Sequence, residues 1–232
     1  VWKAKAVRQL LRYQEAGPEW HGTGAPELFD TNLMCVALCG ADAAYAAIGA
    51  PENAYAQWKS TEPFSTPAFE QRFGMPPEGQ ARLIGGLLNP PVLLDILRDF
   101  VVYEPERGRL VKKLPRYQQY RAVRHAIDRV LVGRTPAERG GVVWHTQGSG
   151  KSLTMLFLAT KLRRSPALQN PMIVVVTDRT QLDDQITRTF RQASLLEPER
   201  AANTRDLRAL LSTNNGRTVM TTIQKFEEAL NT

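Results

Sequence analysis

Cysteine is nearly absent from this sequence, with only Cys35 and Cys39 among 232 residues. Both lie in an apolar run, NLMCVALCG, that reads as a strand. Residues four apart on a strand stand about 13 Å apart, beyond the reach of a disulfide. No histidine or further cysteine lies beside them to complete a zinc site. The pair is therefore expected to be two small buried hydrophobes in a reducing, cytoplasmic setting. Long hydrophobic runs are missing as well: no stretch of about 18 apolar residues occurs, which excludes a membrane-spanning helix and a membrane partner of that kind. The opening VWKAKAVRQL has neither the apolar core nor the cleavage site of a secretory leader. It also lacks an initiator Met, which suggests an excerpt from a longer chain. There is no internal repeat and no low-complexity tract.

What is present is enough to fold. Apolar residues make up 43% of the chain and aromatics 8%, including four tryptophans, a composition that argues against disorder. The length suits one or two domains. The formal charge of +7 is unevenly spread. Residues 1–110 hold 10 basic and 13 acidic side chains, a net of −3, whereas residues 111–232 hold 20 and 10, a net of +10. That asymmetry points to an anionic partner for the second half, with nucleic acid the foremost large one.

Hydrophobic periodicity divides the chain at about the same place. Residues 3–15 read as a helix with Val7, Leu10 and Leu11 at helical spacing. The runs 32–39 and 43–50 flank Gly40, Ala41 and Asp42 and predict a hairpin. Residues 59–80, rich in Pro, Thr, Ser and Glu, read as surface connection. Asn89 before Pro90 and Pro91 reads as an N-cap opening a helix to about Phe100, and VVYEPERGRLVKKL as a short hairpin or linker. The boundary is placed near residue 110. Beyond it, 116–133 reads as a helix with its apolar stripe at Val123, Ala126, Ile127, Val130 and Leu131. Strands are expected at 141–146, 172–177 and 217–222, and helices at 151–162, 178–190, 204–213 and from Ile223. Such alternation predicts an α/β fold with a parallel sheet and helices on both faces.

The most informative segment is VVWHTQGSGKSLTM. A strand running into Gly148, Ser149, Gly150, Lys151 and Ser152 at the start of a helix is a phosphate-binding arrangement. Glycines let backbone N–H groups turn inward, and the helix N-terminus adds unpaired donors and partial positive charge. Lys151 would reach the β- and γ-phosphates of ATP and Ser152 would ligate Mg²⁺, with Thr146 and Gln147 completing the loop. The strict G-x-x-x-x-G-K-S/T pattern has His145 in place of its first glycine.

With these residues in view, GGVVWHTQGSGKSLTM resembles the motor (R) subunit of type I restriction enzymes, a helicase-like superfamily 2 family. IVVVTDRTQLDDQI (173–186) resembles its motif Ia and VMTTIQKF (219–226) its motif Ib. RYQQYRAV (116–123) resembles the segment before the first motor motif, which puts the adenine-proximal glutamine at Gln119 rather than Gln118. RQLLRYQ and PELFDTNLMCVALCG resemble the end of the nuclease domain, where Gln9 and Tyr13 reproduce a Q-x-x-x-Y element beside the nuclease site; AYAQWKSTEPF is also similar. The resemblance covers nearly the whole chain. It implies the C-terminal part of a nuclease domain plus connector over 1–110, and most of the first RecA-like lobe over 111–232. It also implies ATP-driven translocation of duplex DNA, cleavage, and a complex with methylation and specificity subunits. Thr177, Arg179, Thr221, Thr222 and Gln224, at the carboxyl ends of strands where open α/β sheets bind ligands, would contact the DNA backbone. The basic stretch Lys112, Lys113, Arg116, Arg121, Arg124 and Arg129 would line the DNA path, pack against the nuclease domain or form a solvated face.

Two parts of that family's machinery have no counterpart in this sequence. The nuclease carboxylates lie upstream of the Q-x-x-x-Y helix, and no DEAH- or DECH-like box appears by Thr232. Asp183 and Asp184 are not a substitute, since they fall on a helix after motif Ia. The chain alone is therefore expected to turn over neither DNA nor ATP efficiently. The rival readings are another superfamily 2 helicase, an inactive nucleotide-binding chain, and a small-molecule kinase; the basic second half and TDRTQLDDQ disfavour the last.

Overall fold

The helix expected near the start forms at Trp2–Tyr13 (α1), because its apolar residues make one buriable stripe. Val7, at the centre of that stripe, packs against Cys35, Ala44, Ala46 and Tyr55, with Leu10 and Leu11 alongside. The computed structural model describes residues 2–106, 109–178, 180–191, 196–213 and 216–231. The chain divides into two units, Val1–Arg121 and Ala122–Thr232.

In the first unit, strands Met34–Leu38 (β1) and Ala43–Ala47 (β2) pair antiparallel, with Cys35 opposite Ala46 and Leu38 opposite Ala43. Gly40 closes the turn with φ +71°, a left-handed conformation natural to glycine. Every residue of β2 is buried. Only half of the cysteine expectation holds: Cys35 is buried and its thiol is pushed up by desolvation, but Cys39 is exposed. The strand ends at Leu38, which leaves Cys39 in the turn.

The segment 59–80 is not mere surface connection. It contains Thr66–Phe73 (α2), opened by Ser65, whose hydroxyl accepts from the Ala68 amide. Phe69 is fully buried and packs on Phe64 and Phe73. A short helix, Gly79–Arg82 (α3), runs into a wide π turn at Leu83–Leu87. Close approach explains the glycine there: a Cβ on Gly86 would lie 2.6 Å from the Ser60 carbonyl and 2.7 Å from Trp58 Nε1. Helix Pro90–Asp99 (α4) follows Asn89 as expected, although the Asn89 side chain donates back to the Gly85 carbonyl and does not cap the helix. The hairpin Val102–Glu106 (β3) and Arg109–Lys113 (β4) then leads into Tyr117–Val132 (α5). A row of rings, Tyr45, Trp58, Tyr120 and Phe100, spaced 5.9, 5.5 and 5.0 Å apart, ties these elements together. Tyr45 donates to the Pro115 carbonyl at 2.6 Å, and burial raises its phenol.

In the second unit Val123 and Ile127 of α5 are buried, but Leu131, placed on the apolar stripe above, is exposed. Pro136–Arg139 (α6) is a single turn closed by a Thr135–Glu138 capping box. Helix Lys151–Arg164 (α7) precedes strand Ile173–Thr177 (β5), helix Thr180–Arg191 (α8), strand Pro198–Arg200 (β6), helix Thr204–Ser212 (α9), strand Thr218–Thr222 (β7) and helix Ile223–Leu230 (α10). The three strands make the expected parallel sheet in the order β5-β7-β6. Successive residues of β7 face opposite sides. Val219 packs with Leu207 of α9 and Phe226 of α10, while on the other side Thr218 accepts from Arg163 of α7 at 2.8 Å. Both faces of the middle strand are therefore covered by helices.

One predicted strand does not form. Residues 141–146 are irregular, and Val142 and Trp144 are 91% and 88% exposed. An apolar run becomes a strand only when its amides and carbonyls find a ladder. The described strands of this sheet pair with one another and none bonds to 141–146. Among the described residues, no helix is long and apolar enough to cross a membrane.

Candidate nucleotide-binding site

The glycine-rich loop sits where the sequence puts it, at the start of α7. Gly148 and Gly150 have φ of +74° and +79°, so two left-handed residues curl the backbone around a centre. A Cβ at Gly148 would meet nothing within 4 Å, so conformation rather than crowding demands glycine there. The Thr146 carbonyl collects three donors: the Ser149 amide at 3.3 Å, the Ser149 hydroxyl at 2.7 Å and the Lys151 ammonium at 2.8 Å. Lys151 is thus folded across its own loop, with its charge resting on a neutral oxygen.

Helix α7 starts with Gly150 as N-cap, which offers no side chain to its first amides. Those amides and the helix dipole favour an anion. Lys161, Arg163 and Arg164 complement the dipole at the other end. Ser152, the second residue of α7, is half-buried and Gln147 is exposed. His145, near the end of the strand expected at 141–146, lies in irregular backbone, and its Nδ1 is buried without a hydrogen-bond partner. The donor set of glycine amides, ammonium and hydroxyl fits a phosphate with an attendant cation.

Arg163 is a functional-looking residue the sequence did not flag. It is buried, donates to Asn170 Oδ1 at 3.1 Å and to Thr218, and desolvation lowers its pKa. It fixes the far end of α7 to the first residue of β7, and so helps set the angle at which the loop is presented.

The strand-end residues are a partial correction. Thr177 and Thr222 are brought side by side as Cα partners at the ends of β5 and β7. Thr221 and Thr222 are only 1% and 7% exposed, because β7 is buried to its last residue, and Thr177, beside them at the end of β5, is 4% exposed. Thr177 donates towards Asp183 Oδ1 at 3.4 Å and the Thr221 carbonyl at 3.3 Å. Gln224, in the first turn of α10, is exposed. Arg179 lies outside the described residues. Asp183 and Asp184 fall on α8 as expected, and a long-range partner joins them. Arg200 Nε lies 2.8 Å from Asp183 Oδ2, off the hydrogen-bonding direction, and Arg200 Nη1 donates to Asp184 Oδ1 at 2.7 Å. No periodic signal could have announced Arg200, since β6 is three residues long and begins with proline.

In the first unit Gln9 donates to the Tyr13 hydroxyl at 2.5 Å across one helical turn, and both are exposed. Gln119 is buried, and its Oε1 accepts from the Arg116 amide at 2.8 Å. It belongs to the first unit and the phosphate loop to the second.

Comparison with known proteins bears on the same segments. Residues 118–232 match the SWI2/SNF2 ATPase family. The chain is 40% identical over 207 residues to the HindI type I restriction enzyme endonuclease subunit of Haemophilus influenzae, covering 86% of this chain and 19% of the relative. It is 38% identical over 149 residues to a Methanocaldococcus jannaschii protein provisionally named as the MjaIXP type I restriction enzyme endonuclease subunit, covering 62% of this chain and 14% of the relative. A Staphylococcus saprophyticus endonuclease subunit, SsaAORF53P, is 29% identical over 106 residues, covering 46% of this chain and 11% of the relative. The chain thus spans less than a fifth of the length of the curated relatives it matches.

Proposed function

Since the chain is a homologue of type I restriction enzyme endonuclease subunits, we propose that it is the part of such a subunit in which the end of a nuclease domain (1–110) is followed by the start of an ATP-driven motor lobe (111–232). The whole protein would pull duplex DNA past itself and cut it, in a complex with methylation and specificity subunits. The observation that carries the reading is the left-handed Gly148–Gly150 loop at the uncapped start of α7, in a unit built on a parallel sheet.

Mg·ATP, when bound, supplies the phosphoryl group whose transfer drives such a motor. The chain's own residues bind and orient. Amides of Ser149 to Ser152 would hold the phosphates. Lys151, which now donates to the Thr146 carbonyl, would find in a phosphate oxygen a stronger, charge-assisted partner. The Ser152 hydroxyl would serve the cation, and Gln119 would distinguish the adenine edge. The buried threonines Thr177, Thr221 and Thr222 position the strand ends, while Arg179 and Gln224 touch the DNA backbone. Gln9 and Tyr13 orient the nuclease centre.

Titration of the chain with a fluorescent ATP analogue in the presence of Mg²⁺ tests the reading. Lys151→Ala should weaken binding about 10- to 100-fold, the worth of a charge-assisted hydrogen bond of about 1.5–3 kcal/mol. Equal affinity in the folded variant overturns it.

A further inference from the structure

The first unit carries a second anion-attracting surface, lined by none of the residues assigned above to nucleotide. Helix α1 has no acidic residue. Lys5, Arg8 and Arg12 recur at i, i+3 and i+7 and form one stripe, opposite the side that buries Val7. With Gln9 and Trp20 they line an open groove of about 360 Å³.

The nearby carboxylates are turned elsewhere. Glu15 accepts from the Gly24 amide at 3.0 Å, and those backbone bonds hold its pKa below the usual value. Glu19 lies back against Gly17. Lys3, the other cation of the helix, is spent on the Tyr55 carbonyl at 2.7 Å. Lys5 and Arg8 make no ion pair with any described residue, and Arg12 lies only over the ring of Tyr13, 5.2 Å from its centroid.

We infer that this groove binds the phosphodiester backbone of DNA, with Lys5, Arg8 and Arg12 each meeting a phosphate and Gln9 and the Trp20 ring flanking the strand. The spacing suits a polymer. Seven residues of helix rise about 10.5 Å, and successive phosphates of one strand advance about 3.4 Å along a duplex, so the stripe runs the length of about three phosphate-to-phosphate steps. Neutral donors such as Gln9 and the Tyr13 hydroxyl suit phosphate oxygens without reading sequence. The choice of DNA rests on the DNA-handling function proposed above. The groove also deepens that function, because it places a backbone contact on the helix that carries the Gln9–Tyr13 pair.

The test is fluorescence anisotropy of the chain with a labelled 30-base-pair duplex between 50 and 200 mM salt. Neutralising Lys5, Arg8 and Arg12 together to glutamine should lower the salt slope by about 2.7 and the affinity at 100 mM salt by a factor on the order of 10². Arg8→Gln alone should lower the slope by about 1, whereas Arg8→Lys should leave it unchanged. On the unmodified chain, duplex should shield Lys5 from an amine-reactive label, and inorganic phosphate at the same phosphate concentration should not. An unchanged slope in the folded triple variant, an unshielded Lys5, or equal competition by polyglutamate overturns the groove. The nucleotide titration of the Lys151 site is read separately, so loss of the groove leaves that result standing, and the reverse.

Discussion

Two runs that both read as strands from the sequence behave in opposite ways. IVVVT (173–177) is a strand with five Cα partners on β7, and Val175 is buried. GVVWHT (141–146) is irregular and holds its valines and tryptophan in solvent. Composition contributes, since every residue of the first run is β-branched and only half of the second are. The first run has a parallel neighbour to receive its amides and carbonyls, and the second has none among the described strands. A burial pattern in a sequence therefore states what a segment can do, and the ladder decides whether it does so. The phosphate loop, directly after the unpaired run, keeps its shape without that strand. Its shape comes from Gly148, Gly150 and the bonds gathered on the Thr146 carbonyl.

The largest contrast should come from substitution in the two regions. Met220 of β7 stands opposite Val175 and is fully buried, so Met220→Ala should cost about 2–5 kcal/mol in denaturant unfolding. Trp144→Ser should change stability by no more than about 0.5 kcal/mol, despite removing the larger side chain. A cost at Trp144 comparable with that at Met220 would show that the 141–146 run is paired after all.

The sheet has a second, smaller tie that involves no ladder. Arg200 at the end of β6 meets Asp183, which is fully buried on α8, and Arg200 itself is 39% exposed. Replacing Arg200 with Leu leaves a buried carboxylate unpaired. The expected loss is about 3 kcal/mol, the low end for a broken buried pair because one partner touches water. The double variant with Asp183→Asn should recover part of that loss. Failure to recover it would mean that Arg200 acts through packing and not charge.

The same contrast explains what could be read from the sequence. The glycine-rich loop at the start of α7 was legible because its signal is local: glycine conformations, a helix start and a lysine within five residues. The long helices, β5, β7 and their parallel pairing were legible from period and spacing. Thr177 and Thr222 were placed correctly at strand ends, but their burial was not, since it depends on α8 and α10 packing on β5 and β7. The Asp183–Arg200 contact, Phe69 under the segment 59–80, and the solvent exposure of Trp144 and Leu131 all depend on residues far away in the chain. Strand β6, three residues long, is below the length at which alternation can be seen.

The smallest effect concerns a segment that, like 141–146, has no ladder, yet has a partner for its amides. The Gly22–Gly24 turn is held by the Glu15 carboxylate, which accepts from the Gly24 amide and pairs with His21 at 3.9 Å. Backbone hydrogen bonds, led by that from Gly24, lower the Glu15 pKa from its ordinary 4.5. A carboxyl whose folded pKa is depressed contributes stability above its unfolded pKa, and that contribution is lost as pH falls through the folded one. Glu15→Gln should therefore melt slightly below the parent chain at neutral pH, and the two melting curves should converge as pH falls through and below the ordinary glutamate range. A gap that persists, or widens, in acid would mean that the turn is held by shape and not by the charged carboxylate.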